Sequence, residues 1–71
     1  MVRTPKFEGQ LERKDGTFDI FGAWTIKECI NLARHYLDER YTGRLMVWGN
    51  SKAGQTYFER QGKINCEIQI N

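Results

Sequence analysis

The sequence predicts an α+β domain of order ββαβββ, a largely antiparallel sheet with one amphipathic helix packed on one face. Three observations predict it. Residues 6–12 alternate between apolar or small and polar residues with the period of a half-buried strand. Thr25 to Glu28 spells a helix-capping box, followed by an apolar stripe at helical spacing. The closing KINCEIQIN alternates again. With 71 residues there is room for one domain, residues 1–71, with residues 1–5 expected as a flexible N-terminal segment. A chain this short buries only about 60% of its extended surface, so its stability margin is slim.

Taken in order, Phe7, Gly9 and Leu11 mark the inner positions of a first strand, between Lys6, Glu8, Gln10 and Glu12. Lys14-Asp15-Gly16 supplies turn chemistry, and Phe18 and Ile20 resume the alternation on the returning strand of a β-hairpin. From the capping box, Ile26, Cys29, Ile30, Ala33 and Leu37 form the stripe of a helix running from about residue 25 to about 41, with Gly43 as its stop. Leu45 and Val47 alternate with Arg44, Met46 and Trp48 on a third strand. QTYFER reads as a fourth strand, Gln61-Gly62 as a turn, and the last strand sets Ile64, Cys66, Ile68 and Ile70 against Lys63, Asn65, Glu67 and Gln69.

The stretch GNSKAGQT, residues 49–56, follows LMVW and comes close to a phosphate-binding loop, with Gly49, Gly54 and Thr56 in place but Gln55 where the lysine belongs. Such a loop must lead into a helix whose first amides receive the anion. Because YFER carries an aromatic strand signal, the segment is expected to be a connector between strands that binds no nucleotide.

Composition narrows the function classes. The chain is too apolar for a disordered tail, at 39% hydrophobic residues. It has no signal-like start and no membrane-length apolar run, so a cytoplasmic protein with no membrane partner is expected. Cys29 and Cys66 lack metal-site spacing and are expected as reduced, buried thiols, although a disulfide suits so small a domain. His35, the one histidine, lies on a helix flank with no nucleophile identifiable beside it. No spacing of the scattered carboxylates argues for acid–base chemistry. The expectation is a binding protein, not an enzyme, with no catalytic residue, cofactor or metal.

Two surfaces are candidates for binding. Strand parity assigns Phe21, Met46, Trp48 and Tyr57 to the sheet face away from the helix, where they either serve a partner or self-association, or are covered by loops and sheet curl. Chain direction gathers Arg13, Lys14, Arg40, Arg44, Arg60 and Lys63 at one end, accompanied by Asp15, Asp38, Glu39 and Glu59. That rim is either functional or an ordinary charged end, since cations near a helix C-terminus also follow from the helix dipole. The open face would carry Lys6, Arg44 and Lys63 against Glu8, Glu12, Asp19, Glu59 and Glu67, which suits a protein better than a phosphate backbone. Nucleic acid fits the basic end better.

From Thr25 to Gln69, the helix-ending Gly43, the strands GRLMVW and QTYFER, the Gly62-Lys63 turn and the closing NCEIQ resemble, in order and spacing, small phage-encoded anti-CRISPR proteins directed against type I-F surveillance complexes. The resemblance implies a stoichiometric inhibitor of a host protein or nucleoprotein complex, acting in the host cytoplasm, with Lys63 matching the turn lysine. The stretch LERKDGTFDIFGAWTIKEC, leading a sheet packed on a helix, also resembles the arm-site DNA-binding domains of phage integrases. That likeness implies a DNA-binding module that grips the major groove through its sheet.

Overall fold

In the computed structural model, residues 3–71 are described. The order is β1 (Phe7–Arg13), β2 (Phe18–Ala23), α1 (Ile26–Tyr36), β3 (Tyr41–Gly49), α2 (Lys52–Glu59) and β4 (Asn65–Gln69). The class is α+β as expected, but with four strands and two helices, ββαβαβ. The strands form one sheet of order β2-β1-β3-β4, every neighbouring pair antiparallel. Strands β2 and β3 therefore flank β1 and run the same way, and α1 links them by crossing over β1.

The hairpin closes as its residues dictate. Gly16 takes φ +90°, and the Asp15 carboxylate accepts from the Thr17 amide at 2.9 Å and from its hydroxyl at 2.6 Å. The Thr17 hydrogen bonds also hold the Asp15 carboxyl below its usual range. The capping box forms as read: Thr25 Oγ1 accepts from the Glu28 amide at 3.0 Å, and Glu28 Oε1 accepts from the Trp24 amide at 3.2 Å. Helix α1 ends earlier than its pattern suggested. Leu37 leaves the helix at ψ 126°, and Asp38 turns its carboxylate onto the Arg40 amide at 2.8 Å, offering the chain a local turn instead of another helical one. Gly43 does not stop the helix. It lies within β3 at φ +90°, where the pairing of β1 with β3 shifts between Leu11 and Arg13.

The larger departure is QTYFER, which belongs to α2 and not to a strand. Ser51 caps this helix, accepting from the Gly54 amide at 3.3 Å. Residues Gly54 and Phe58, four apart, bury one face. The Gly62 amide donates to Glu59 O at 2.9 Å and the Lys63 amide to Phe58 O at 3.0 Å, with Gly62 at φ +69°. These are the paired closing bonds of a glycine-capped helix end. Gln61-Gly62 thus ends a helix where a hairpin turn was expected, and the resemblance that used QTYFER as a strand loses that element.

Both helices contribute to one core on one face of the sheet. Leu11, Ala23, Cys29, Ala33, Leu45 and Val47 are fully buried, joined by Phe7, Tyr41, Phe58 and Ile70. The alternation read in β1, β3 and the end of β4 holds, while Ile64 lies ahead of β4 and is exposed. In β2 the parity is the reverse of that expected. Leu11 pairs with Asp19 and Gly9 with Phe21, which turns Asp19, Phe21 and Ala23 to the helix side and leaves Phe18 and Ile20 on the open face. The reversal has two visible causes. The Phe21 ring lies over Gly9, where any Cβ would collide with it. Asp19 accepts from both the Arg13 guanidinium and the Tyr41 hydroxyl. Cys29 is buried and Cys66 partly so, and both are free thiols.

Within the N-terminal segment, Met1 and Val2 lie outside the described residues. Pro5 packs against Gly22, and its carbonyl accepts from Asn50 Nδ2 at 3.0 Å. No helix among the described residues is long and apolar enough to cross a membrane.

Candidate functional site

The fold separates the residues expected to act together. Arg13, Lys14, Arg40 and Arg44 do lie toward the end holding the β1–β2 turn and the start of β3. Arg60 and Lys63 do not. Because α2 replaces a strand, the chain re-enters the sheet at Asn65 opposite Trp48, which leaves Arg60 and Lys63 at the other end of the molecule. At the hairpin end the cations are largely matched by acids. Arg13 pairs with Asp19, and Arg40 pairs with Asp38 at 2.8 Å. The Arg40 guanidinium holds the Asp38 carboxyl below its ordinary range.

The open sheet face is acidic. It carries Glu8, Glu12 and Glu67 against Arg44 alone, and Arg44 bonds Glu67 and, at 2.8 Å, Glu12. These two carboxylates, Glu67 first, hold the Arg44 guanidinium protonated more firmly than usual. Of the aromatic and apolar residues expected on this face, Met46 and Trp48 are there, both half-buried, beside Phe18 and Ile20. Trp48 Nε1 is buried without a hydrogen-bond partner among the described residues. Phe21 instead packs toward α1, its ring 6.4 Å from that of Tyr36. Tyr57 sits on α2, edge-on to Phe7 at 5.4 Å and to Phe58 at 5.3 Å.

Most of the remaining positive charge collects at the α2 end, with Lys14 in the β1–β2 turn and Arg34 in the last turn of α1 as the exceptions. The start of β1, the β2–α1 junction and α2 with its following turn bring Arg3, Lys6, Lys27, Lys52, Arg60 and Lys63 there, against Glu28 and Glu59. Among the described residues, none of these six cations makes an ion pair. Two adjoining cavities open between them. One, of about 240 Å³, is walled by Lys6, Phe7, Trp24, Thr25, Ile26 and Tyr57. The other, of about 290 Å³, is walled by Lys6, Ala53, Thr56, Tyr57 and Arg60. Lys6 and Tyr57 belong to both, so the two cavities adjoin and make one shallow cleft region with Trp24 on one side and Arg60 on the other. Arg3 lies over the Trp24 ring at 5.3 Å, and the Lys6 ammonium lies 5.5 Å from the Tyr57 ring. Trp24 is 44% exposed and Tyr57 39%.

Arg3, Trp24, Lys27 and Lys52 are not among the residues the sequence points to, and Lys6, expected on the open sheet face, lies at the cleft instead. Trp24 carried one signal: a large aromatic directly before a helix cap, outside both the strand alternation and the helix stripe.

GNSKAGQT does follow a strand and lead into a helix, contrary to expectation, yet it holds no phosphate cradle. Only Asn50 and Ser51 separate β3 from α2, and both of their amides donate to the Lys6 carbonyl, at 2.9 and 3.3 Å. The Gly54 amide is taken by Ser51, and a Cβ on Gly54 would overlap that same carbonyl. The glycines serve close packing of α2 on the start of β1, and the amides of Asn50, Ser51 and Gly54 are already engaged within the chain.

Comparison with known protein families, characterised proteins and solved structures finds no match to this chain.

Proposed function

We propose that this chain is a small non-catalytic binding protein that engages nucleic acid, free or within a nucleoprotein complex, through its α2 end. The observation that supports this reading is the segregation of charge: six cations without ion-pair partners among the described residues lie at the α2 end against Glu28 and Glu59, with Lys6 and Arg60 on the cavity walls, while the other acids lie on the open face and at the opposite end. Unpaired cations around a concavity attract a polyanion, and their effect survives only at moderate salt. The sheet face, net negative with its one arginine bound by two carboxylates, is a poor match for DNA, which argues against major-groove binding of the kind the integrase-like resemblance implies. The test is anisotropy titration of a fluorescein-labelled 12-mer at 50 and 200 mM salt. About three phosphate contacts give a slope near −2 in log affinity against log salt, or roughly 20-fold weaker binding at the higher concentration. Absence of binding at 50 mM salt would sink the reading.

A second reading follows the resemblance to phage-encoded inhibitors: docking of a host nucleoprotein complex through the sheet face, centred on Trp48 and Met46. It is favoured by the exposure of that face among the described residues, where Ile20 is 62% exposed and Phe18 38%. Its test is Met46→Asp, a charge placed on the open face: capture of the host complex by the tagged protein should be lost and nucleic-acid binding retained. Unchanged capture contradicts it.

A further inference from the structure

We infer that the cleft at the α2 end takes single-stranded nucleic acid, with a base received between Trp24 and Tyr57 and its flanking phosphates met by Arg3, Lys6 and Arg60. This rests on the preceding proposal and adds the form of the ligand. The two rings wall one cavity, and neither belongs to the core. Tyr57 is fixed by edge contacts with Phe7 and Phe58. Trp24 is fixed at its backbone by Glu28, with its side chain left outside the hydrophobic stripe of α1. Exposed rings beside cations are what unpaired bases stack on, and every base has a face to offer. A duplex keeps its base faces stacked on one another and can present only its phosphates. Anionic lipid also attracts cations with aromatics, but there the rings must project outward into the bilayer interface. Here they line the walls of a concavity.

The experiment compares four probes on the full chain at 50 mM salt: a dT 12-mer, an abasic 12-mer, a 12-base-pair duplex, and vesicles containing phosphatidylserine. Trp24→Ala and Trp24→Phe are examined beside the parent chain, with circular dichroism to show that each is folded. Trp24 is nearly half exposed, so its removal spares the core. The expected result is preference for dT over the abasic strand and the duplex, a loss of about tenfold for dT in Trp24→Ala, and recovery in Trp24→Phe. Abasic binding should not change. Equal binding of dT, abasic strand and duplex, unaltered by Trp24→Ala, overturns the stacking cleft and leaves the cationic end standing. Binding of vesicles without any oligonucleotide overturns both.

Discussion

Cys29 and Cys66 are both thiols on the inner side of the fold, but their surroundings differ. Cys29 has no exposed surface, and burial, with Glu28 and Cys66 nearby, pushes its pKa up to about 11. Cys66, only partly buried, is raised by burial and drawn down by Lys63. Alkylation requires the thiolate, so the two should separate. At pH 8, iodoacetamide should label Cys66 in the folded protein and Cys29 only after denaturation, as read by mass spectrometry of the peptides. The linkage has a definite sign. A thiol whose folded pKa lies above its unfolded value of 9.0 favours the fold while protonated. Its stabilisation is therefore complete below about pH 9 and is lost as pH rises through about 11. Equal labelling of both thiols in the folded state would contradict this packing.

Helix α2 is the element on which the architecture turns. Its docking depends on Gly54, where the backbone passes so close to the Lys6 carbonyl that no Cβ fits, and on Gly49, packed against the Gly54–Gln55 backbone. Gly54→Ala would ordinarily favour a helix by roughly 0.5–1 kcal/mol. Here overpacking against the backbone, typically about 1–3 kcal/mol, should win, and urea unfolding should show net destabilisation. A more stable Gly54→Ala protein would mean that α2 does not sit on β1 as described. The same element explains what was legible in the sequence. The hairpin, the capping box and the parity of β1, β3 and β4 were readable because their signals are local and agree with one another. Thr56, Tyr57 and Phe58 carry strand propensity, which here yields to the Ser51 cap and to burial of Gly54 with Phe58 on one helical face. Gly62 was readable as a chain reversal, but a glycine that closes a hairpin and one that caps a helix look alike in isolation. The parity of β2 was hidden for a different reason. Asp19 faces the helix side because Arg13 and Tyr41 await it there, and that partnership exists only after folding.

At the scale of the whole molecule, a net charge of +2 conceals a strong asymmetry. The molecule measures about 33 × 31 × 19 Å, so its two ends lie several Debye lengths apart at physiological salt and act as separate surfaces. Because α2 stands where a strand was expected, Arg60 and Lys63 lie at the opposite end from the β1–β2 turn, and the candidate site lies there with them. The end with six unpaired cations is the one that should bind, and the hairpin end, where Arg13 and Arg40 are paired and four acids accompany them, should not. The most direct measurement reverses charge at each end in turn, with Lys6→Glu plus Arg60→Glu at the cleft and Lys14→Glu plus Arg40→Glu at the hairpin end. Each folded variant is titrated with the labelled dT 12-mer at 50 mM salt. The first pair should abolish binding and flatten its salt dependence, while the second should leave affinity within about threefold of the parent chain, since it acts only through the screened long-range field. Equal losses from both pairs, or a greater loss from the hairpin end, would contradict a site at α2.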